Sequence, residues 1–216
     1  MTLSPLRKPR PVPALNFERA WWGAGYRRIA GIDEAGRGAL AGPLVAAAVI
    51  LPQDAHVIER ELVGLNDSKV LSVKNRERLF AILTDMAISI GVGAVEPGEI
   101  DEFGLTAANR IAMERAVWNL PLQADALFID AFTLDSDLPQ HCLIDGDALC
   151  LSIAAASVIA KVTRDRIMVS EHTVDPRFGF DRHKGYGAPV HLEALAMHGP
   201  GELHRRCFAP VARAVK

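Results

Sequence analysis

The sequence predicts an α/β domain with a mixed β-sheet and helices on its faces. Two observations predict this class. Short apolar segments with strand character alternate with longer segments of helical periodicity, and the first two strands follow each other too closely for a helix between them. The 216 residues, 50% of them hydrophobic, suffice for one such domain with a complete core.

Five strands are predicted from apolar runs bounded by glycine, proline or charged residues. The segment EAGRG separates the first two strands, and Ala126 begins the fourth. The predicted strands are 29–33 (IAGID), 44–51 (LVAAAVIL), 87–95 (AISIGVGAV), 126–130 (ALFID) and a very short one at 143–145.

Helices are predicted where apolar residues recur every three or four positions. The segment 99–119 shows this best, with Ile100, Phe103, Ala107 and Ile111 on one side. The predicted helices are 72–85, 99–119, the alanine-rich 152–169 and 190–198, and the basic tail 202–216 is expected to be partly helical.

Residues 1–15 are predicted to be a flexible basic arm, because they hold four prolines and three basic residues. A disordered tail without a role is the alternative for this arm. Residues 16–216 are predicted to form a single domain.

The charge balance excludes a strongly basic protein that coats DNA, since the formal net charge is -2. The same charge balance is compatible with a nucleic-acid enzyme whose basic residues cluster in one region. Such a cluster is predicted near the C-terminus, where two glutamates accompany Arg182, Lys184, Arg205, Arg206, Arg213 and Lys216.

The cysteines and the N-terminus predict a cytoplasmic protein. Cys142, Cys150 and Cys207 form no CxxC pair, which argues against a structural zinc site or a redox motif. No segment has the apolar core of a secretion signal or the length of a membrane span.

Two aspartates end apolar strands, and this arrangement predicts a bound cation. Asp33 follows IAGI and Asp130 follows ALFI. Ligand sites in α/β sheets favour the carboxyl ends of strands, and partly buried carboxylates repel one another unless a positive charge neutralises them. Oxygen ligands favour Mg²⁺ or Mn²⁺ over zinc.

Glu34 can join Asp33 only if the strand ends or bulges there, because neighbours in a strand point to opposite faces. Gly36 and Gly38 supply the freedom for such a break. Taken alone, an Asp-Glu pair at a strand end is more often simply part of a turn.

Several long segments resemble the ribonuclease HII family, in the family's order and over residues 30–211. They are GIDEAGRGALAGPLVAAAVIL (31–51), LNDSKVLSVKNRERLF (65–80), DGDALCLSIAAASVIAKVTRDR (145–166), FGFDRHKGYGAPVHLEAL (178–195) and HRRCFAPV (204–211). The resemblance implies an RNase H-like mixed five-stranded sheet flanked by helices. It also implies that residues 16–216 form a single catalytic domain, which includes a C-terminal helical, substrate-binding region.

The resemblance also implies the activity and the site. The enzyme is expected to cut the RNA strand of RNA/DNA hybrids, and to cut 5′ of single ribonucleotides in duplex DNA, leaving 5′-phosphate and 3′-hydroxyl ends. Mn²⁺ or Mg²⁺, two ions during catalysis, is expected on Asp33, Glu34, Asp130 and Asp147, with Asp33 bridging. Substrate contacts are expected from Gly36, Arg37, Gly38, Lys69 and Tyr186.

Some positions depart from the family pattern or stay open. Asp145 stands where a lysine is expected, and Ala131 where glycine is common. Ser157, Lys161 and Arg164 share one helix face, which can serve phosphate binding or simply face solvent. His183 either lines the site or caps a loop, and the loop role is favoured.

Other functions remain possible at this stage. The same scaffold hosts integrases, resolvases and exonucleases, since a fold does not fix a function. A module that binds nucleic acid without cutting it, or a domain stabilised by Ca²⁺ or Mg²⁺, are non-enzymatic alternatives. Cleavage that depends on Asp33 would exclude both. A monomer is expected.

Overall fold

The computed structural model describes residues 11–215 and contains the predicted mixed five-stranded sheet. The strands are β1 (Ile29–Ala35), β2 (Leu44–Ile50), β3 (Ser89–Val95), β4 (Ala126–Asp130) and β5 (Gln140–Leu143). Their order is β3-β2-β1-β4-β5. The links β1–β2 and β2–β3 are antiparallel, whereas β4 runs parallel to β1 and to β5.

Helices surround the sheet and form the C-terminal region. They are α1 (Asn16–Gly23), α2 (Ala55–Glu61), α3 (Val73–Met86), α4 (Pro97–Phe103), α5 (Leu105–Trp118), α6 (Leu151–Val174), α7 (Phe180–His183), α8 (Pro189–His198) and α9 (Ala209–Ala212). Single 3-10 turns occupy Gly146–Ala148 and Pro176–Phe178. Across residues 11–215, no helix is both long enough and apolar enough to cross a membrane.

The sheet lies between two helical layers. Every residue of β2 is buried. This explains why its sequence is a continuous apolar run, without the alternation of apolar and polar residues that a half-exposed strand shows. One sheet face packs against α3 and α6, and the other packs against α5. Strand β1 approaches α6 so closely that a Cβ atom on Gly31 would lie 2.1 Å from the carbonyl carbon of Ser152.

Several predicted boundaries were wrong. The helix expected over 99–119 is two helices, because Gly104 adopts a φ of 78° between them. Strand β5 comes earlier than 143–145, since the polar edge strand QHCL has no apolar run to mark it. Helix α6 continues to Val174, and α1 and α2 were not predicted.

The predicted arm falls mostly outside the described residues, which begin at Pro11. Its last two residues belong to the folded domain. The backbone N–H of Ala14 donates to the Leu149 carbonyl at 3.1 Å, and the Leu15 side chain is buried in the core. Any boundary between arm and domain therefore precedes Ala14.

Candidate active site

Asp33 and Glu34 lie near the end of β1 without any break in the strand. Of the two predicted alternatives the strand end occurs, at Ala35, and the bulge does not, because Asp33 pairs with Ala47 and Glu34 with Ala46 in regular register. Asp33 shares the α6 face with Gly31, and Glu34 lies on the α5 face with Ile32. Both reach one site because it lies at the end of the sheet rather than on one face.

Asp130 and Asp147 approach from the neighbouring strand and the turn before α6. Asp130 is the last residue of β4, and its Oδ1 accepts the Gly146 N–H at 2.8 Å. This bond fixes the 3-10 turn that carries the buried Asp147. Ala131 has a φ of 56°, a conformation that glycine adopts without strain.

Burial dominates the electrostatics of these carboxylates, although Lys69 and Arg37 lie nearby and act to lower their pKa values. Burial raises the pKa of Asp33 well above its usual range, and the charges of Glu34, Asp130 and Asp147 raise it further. Burial likewise raises the pKa values of Glu34 and Asp130. For Asp147, burial followed by the charge of Asp67 raises the pKa to about 6.

Lys69 is a cation at this cluster. Its Nζ lies 3.4 Å from Asp147 Oδ2 and 3.9 Å from Asp67 Oδ1. Partial burial acts to lower the pKa of Lys69, but the charges of Asp33, Asp147 and Asp67 outweigh it and raise that pKa. Sequence reasoning missed Asp67, which it treated as part of a turn.

The donor set suits a hard divalent cation. Glu34 Oε2 is buried without a hydrogen-bond partner among the described residues, so one carboxylate oxygen is available for a metal. Asn109 is fully buried beside Glu34, and its amide acts to lower the pKa of Glu34. As they stand in residues 11–215, no three Asp, Glu, His or Cys side chains converge closely enough to hold an ion. The oxygen ligands and the negative charge of these side chains nevertheless fit a divalent cation.

A cleft of about 440 Å³ adjoins the carboxylates. It brings together all five residues that were predicted to contact substrate. Sequence reasoning missed Ser68 and Arg76, which stand beside Lys69 in the folded chain. The lining residues are Glu34, Ala35, Gly36, Arg37, Gly38, Ser68, Lys69, Arg76, Lys161 and Tyr186.

Tyr186 projects from the turn that follows α7 and is 36% exposed. Lys161 Nζ lies 5.2 Å from the centre of its ring, and Arg164 Cζ lies 5.3 Å from it. This turn packs against the glycine-rich segment 36–43, since the Leu40 N–H donates to the Gly185 carbonyl at 2.8 Å. Positive charge therefore surrounds the tyrosine.

Three basic or polar residues that were expected to bind phosphate or to face solvent are buried. Ser157 is buried, and its Oγ accepts the Ser68 N–H at 3.0 Å, so it anchors the turn that carries Lys69. Arg164 is fully buried rather than facing phosphate or solvent. Arg205 is also fully buried, so it cannot be one of the surface cations expected to hold phosphate.

Histidines behind the cleft tie the Tyr186 turn to the C-terminal segment. Gly201 N–H donates to His204 Nδ1 at 3.0 Å, which leaves Nε2 of His204 as the donor to His191 Nε2 at 3.0 Å. His191 Nδ1 then donates to the Tyr186 carbonyl at 2.8 Å. His183 bonds within its own loop, to the Phe178 carbonyl, as the favoured loop role predicted.

Acid is expected to destabilise the protein through these histidines. Burial, followed by the charge of His191, lowers the pKa of His204 to about 4. The unfolded imidazole titrates near 6.5, so stability falls as pH falls from about 6.5 to about 4, by roughly 3 kcal/mol for His204. Urea unfolding of the wild type and of His204→Gln across this range measures the difference.

The His204→Gln variant keeps the buried carboxylates, whose raised pKa values act in the opposite direction with pH. The difference between the two proteins therefore isolates the histidine. A parallel pH dependence of the two unfolding free energies would contradict the assignment of a neutral His204.

A carboxylate cluster at the end of a mixed sheet, beside a cleft lined by cations, defines a metal-dependent nuclease. The family model of ribonuclease HII matches residues 30–211. The chain therefore belongs to the ribonuclease HII family, whose members are metal-dependent endoribonucleases that act on the RNA of RNA/DNA hybrids.

Relatives and solved structures agree with this membership. The chain is 52% identical over 204 residues to ribonuclease HII of Geobacillus thermodenitrificans, covering 93% of this chain and 76% of the relative. It is 48% identical to that of Bacillus subtilis, covering 94% and 78%. The crystal structure of ribonuclease H2 from Pyrococcus horikoshii superposes with a TM-score of 0.72 and 28% identity, over 87% of this chain and 96% of the other.

A more distant structure shares the fold. It is Bst-RNase HIII in complex with Mn²⁺, with a TM-score of 0.62, 21% identity, and 87% and 69% of the two chains covered.

Proposed function

We propose that this enzyme hydrolyses the RNA strand of RNA/DNA hybrids and also cuts 5′ of single ribonucleotides embedded in duplex DNA. The products would carry 5′-phosphate and 3′-hydroxyl ends. The observation that carries the proposal is the cleft in which Gly36, Gly38 and Tyr186 lie beside Glu34. Only the 2′-hydroxyl distinguishes a ribonucleotide at a given position, and a cleft formed by backbone and one aromatic ring suits its recognition.

The four carboxylates of Asp33, Glu34, Asp130 and Asp147 would hold Mn²⁺ or Mg²⁺, and two ions are proposed during catalysis. Bound there, such ions supply an activated water and neutralise charge on the leaving oxygen. Asp33 is the proposed bridging ligand, since the charges of the other three carboxylates all act on it. The unpartnered Glu34 oxygen supports a ligand role for that residue.

The cleft residues would position the substrate. Backbone groups of Gly36, Arg37 and Gly38 would contact the ribose and its phosphates, and Gly38, where an added Cβ would meet nothing within 4 Å, leaves room for close approach. Tyr186 would pack on the neighbouring deoxyribose and hydrogen-bond the 2′-hydroxyl. Lys69 is 69% exposed at its side chain, so it can contact a phosphate while it neutralises Asp147.

We also propose that the folded chain from Ala14 onward, which includes the predicted domain 16–216, acts as one catalytic domain, as a monomer in the cytoplasm. Three free cysteines, at positions 142, 150 and 207, support a reducing compartment. A module that binds nucleic acid without cutting it is the non-enzymatic alternative. That alternative implies the loss of a catalytic carboxylate, and Asp33, Glu34, Asp130 and Asp147 are all present.

The test uses a labelled DNA duplex with one ribonucleotide, an all-DNA duplex and a long hybrid, each with Mg²⁺ and separately with Mn²⁺. We expect cutting on the 5′ side of the ribonucleotide and none in the all-DNA duplex. Cutting of the long hybrid alone would overturn the proposed roles of the glycines and Tyr186. No cutting of either ribonucleotide substrate would favour the binding module.

A further inference from the structure

Two arginines, Arg164 and Arg205, are fully buried behind the cleft without acidic partners. Both side chains have 0% exposure, and neither forms an ion pair within 4 Å with an acid of residues 11–215. Isolated buried charges are costly, and burial, followed by the charge of Arg164, accordingly lowers the pKa of Arg205 to about 10. Because burying these charges is costly, we infer that the two arginines form an interaction that a neutral side chain cannot provide.

Backbone carbonyls take the place of carboxylates around both guanidinium groups. Arg164 donates to the carbonyls of Pro43, Ala41 and Lys184 at 2.8, 3.0 and 2.9 Å. Arg205 donates twice to Gly42, at 3.0 and 2.8 Å, and once to Arg37 at 3.0 Å.

These bonds converge on the two segments of the proposed substrate cleft. The glycine-rich segment 36–43 supplies every acceptor except Lys184, which begins the turn that carries Tyr186. Arg164 also fills the space that a side chain at Gly36 would need, since a Cβ atom there would lie 1.9 Å from its Nε. Arg164 on α6 therefore joins the two segments, and Arg205, after α8, fixes the glycine-rich segment alone.

We propose that Arg164 and Arg205 are positioning residues that hold the glycine-rich segment and the Tyr186 turn in register for reading a ribonucleotide. The proposal rests on the proposed function of the cleft. A guanidinium group suits this role because its donors form a rigid planar fork that can serve several carbonyls. A lysine ammonium keeps the charge but has one nitrogen, so it cannot reach carbonyls on both sides.

The test therefore compares Arg164→Lys and Arg205→Lys with Arg166→Lys. Arg166 is a matched control on the same helix, exposed, with its Nη2 at 2.6 Å from Glu77 Oε2. For each positioning variant we expect KM for the single-ribonucleotide duplex to rise at least about tenfold, from the loss of charge-assisted hydrogen bonds. We expect kcat to change by less than about threefold, and Arg166→Lys to match the wild type.

Two further measurements separate positioning from general damage. Mn²⁺ affinity should stay unchanged, because the carboxylates lie on β1, β4 and the turn before α6. Hydrogen exchange should accelerate at least about tenfold in segment 37–43 of both variants and in segment 184–187 of Arg164→Lys, but not in β2, whose backbone is held by the sheet. Lost Mn²⁺ affinity, unchanged KM together with unchanged local exchange, or failure of both variants to fold would overturn the proposal.

Failure of the proposed function and failure of the positioning role give different results. A wild-type enzyme that leaves the single-ribonucleotide duplex intact would overturn the proposed function. Exchange in the two segments, and KM for the long hybrid, would then still decide whether the arginines position the cleft.

Discussion

Replacing Asp33 with asparagine is expected to lower kcat for cleavage at a ribonucleotide by about 1000-fold or more. The expectation follows from its place at the centre of the carboxylate cluster, where the charges of Glu34, Asp130 and Asp147 all act on it. Cation-assisted stabilisation supplies several kcal/mol, and each 1.4 kcal/mol corresponds to about tenfold in rate. Asparagine keeps the acceptor that binds the Glu34 N–H at 2.7 Å, so the backbone should stay in place.

The same variant is expected to be more stable than the wild type when no divalent cation is present. The raised pKa of Asp33 means that its ionised form is disfavoured in the folded state. Stability from this carboxyl is therefore present at low pH and lost as pH rises through the folded pKa. The advantage of Asp33→Asn in unfolding free energy should be larger at pH 8 than at pH 4.

Urea unfolding in EDTA and cleavage assays in Mg²⁺ or Mn²⁺ measure the two effects. Asp137→Asn is the matched control, since Asp137 is an exposed loop residue and should change neither quantity. An Asp33→Asn enzyme that cuts at the wild-type rate would contradict the ligand role. A variant that is less stable than the wild type at pH 8 would contradict the electrostatic account.

Replacing Gly31 with alanine is expected to lower the free energy of unfolding by about 3 kcal/mol, at the upper end of typical overpacking costs. The added Cβ would lie 2.1 Å from the Ser152 carbonyl carbon, 2.3 Å from its oxygen and 2.5 Å from the Ile153 nitrogen. All three atoms belong to the backbone of α6, so no side-chain rotation can relieve the clash.

Activity should fall together with stability in this variant. Strand β1 carries Asp33 two residues after Gly31, and the turn with Asp147 leads directly into α6. A shift of α6 away from β1 would therefore spread the carboxylates. The measurements are urea unfolding with comparison of m values, and cleavage well below the unfolding temperature.

Gly98→Ala is the matched control for this prediction. Gly98 lies in α4, where an added Cβ meets nothing within 4 Å, so alanine should be neutral or stabilise the helix by up to about 1 kcal/mol. Equal unfolding free energies for Gly31→Ala and Gly98→Ala would show that β1 and α6 are not packed as described.

Much of the sheet was predictable because its strands are buried on both faces. The uninterrupted run in β2 and the run ALFI before Asp130 have no competing helical period, and both strands occur as predicted. The edge strand β5 was misplaced because an edge needs no apolar run. The break at Gly104 was missed because the amphipathic pattern continues through it on both sides.

The candidate site was predictable in part of its membership but not in its geometry. Motif resemblance identified five residues that line the cleft with Glu34, including Tyr186 from a distant segment, but not Ser68 or Arg76. Strand periodicity placed Asp33 and Glu34 on opposite sheet faces, but it did not show that both reach one site from a strand in regular register. Nor does any local pattern reveal that Arg164 and Arg205 are buried on backbone carbonyls, because charged residues at helical spacing usually indicate a solvated face.

Titration of Mn²⁺ into the metal-free protein by calorimetry, compared with Asp33→Asn and Asp130→Asn, tests most directly whether the cluster is a divalent cation site. The account predicts saturable binding to the wild type and affinities at least about tenfold weaker in both variants, since each loses a charged oxygen ligand. Binding of the same affinity in all three proteins would contradict the central claim, because the cation would then be held elsewhere.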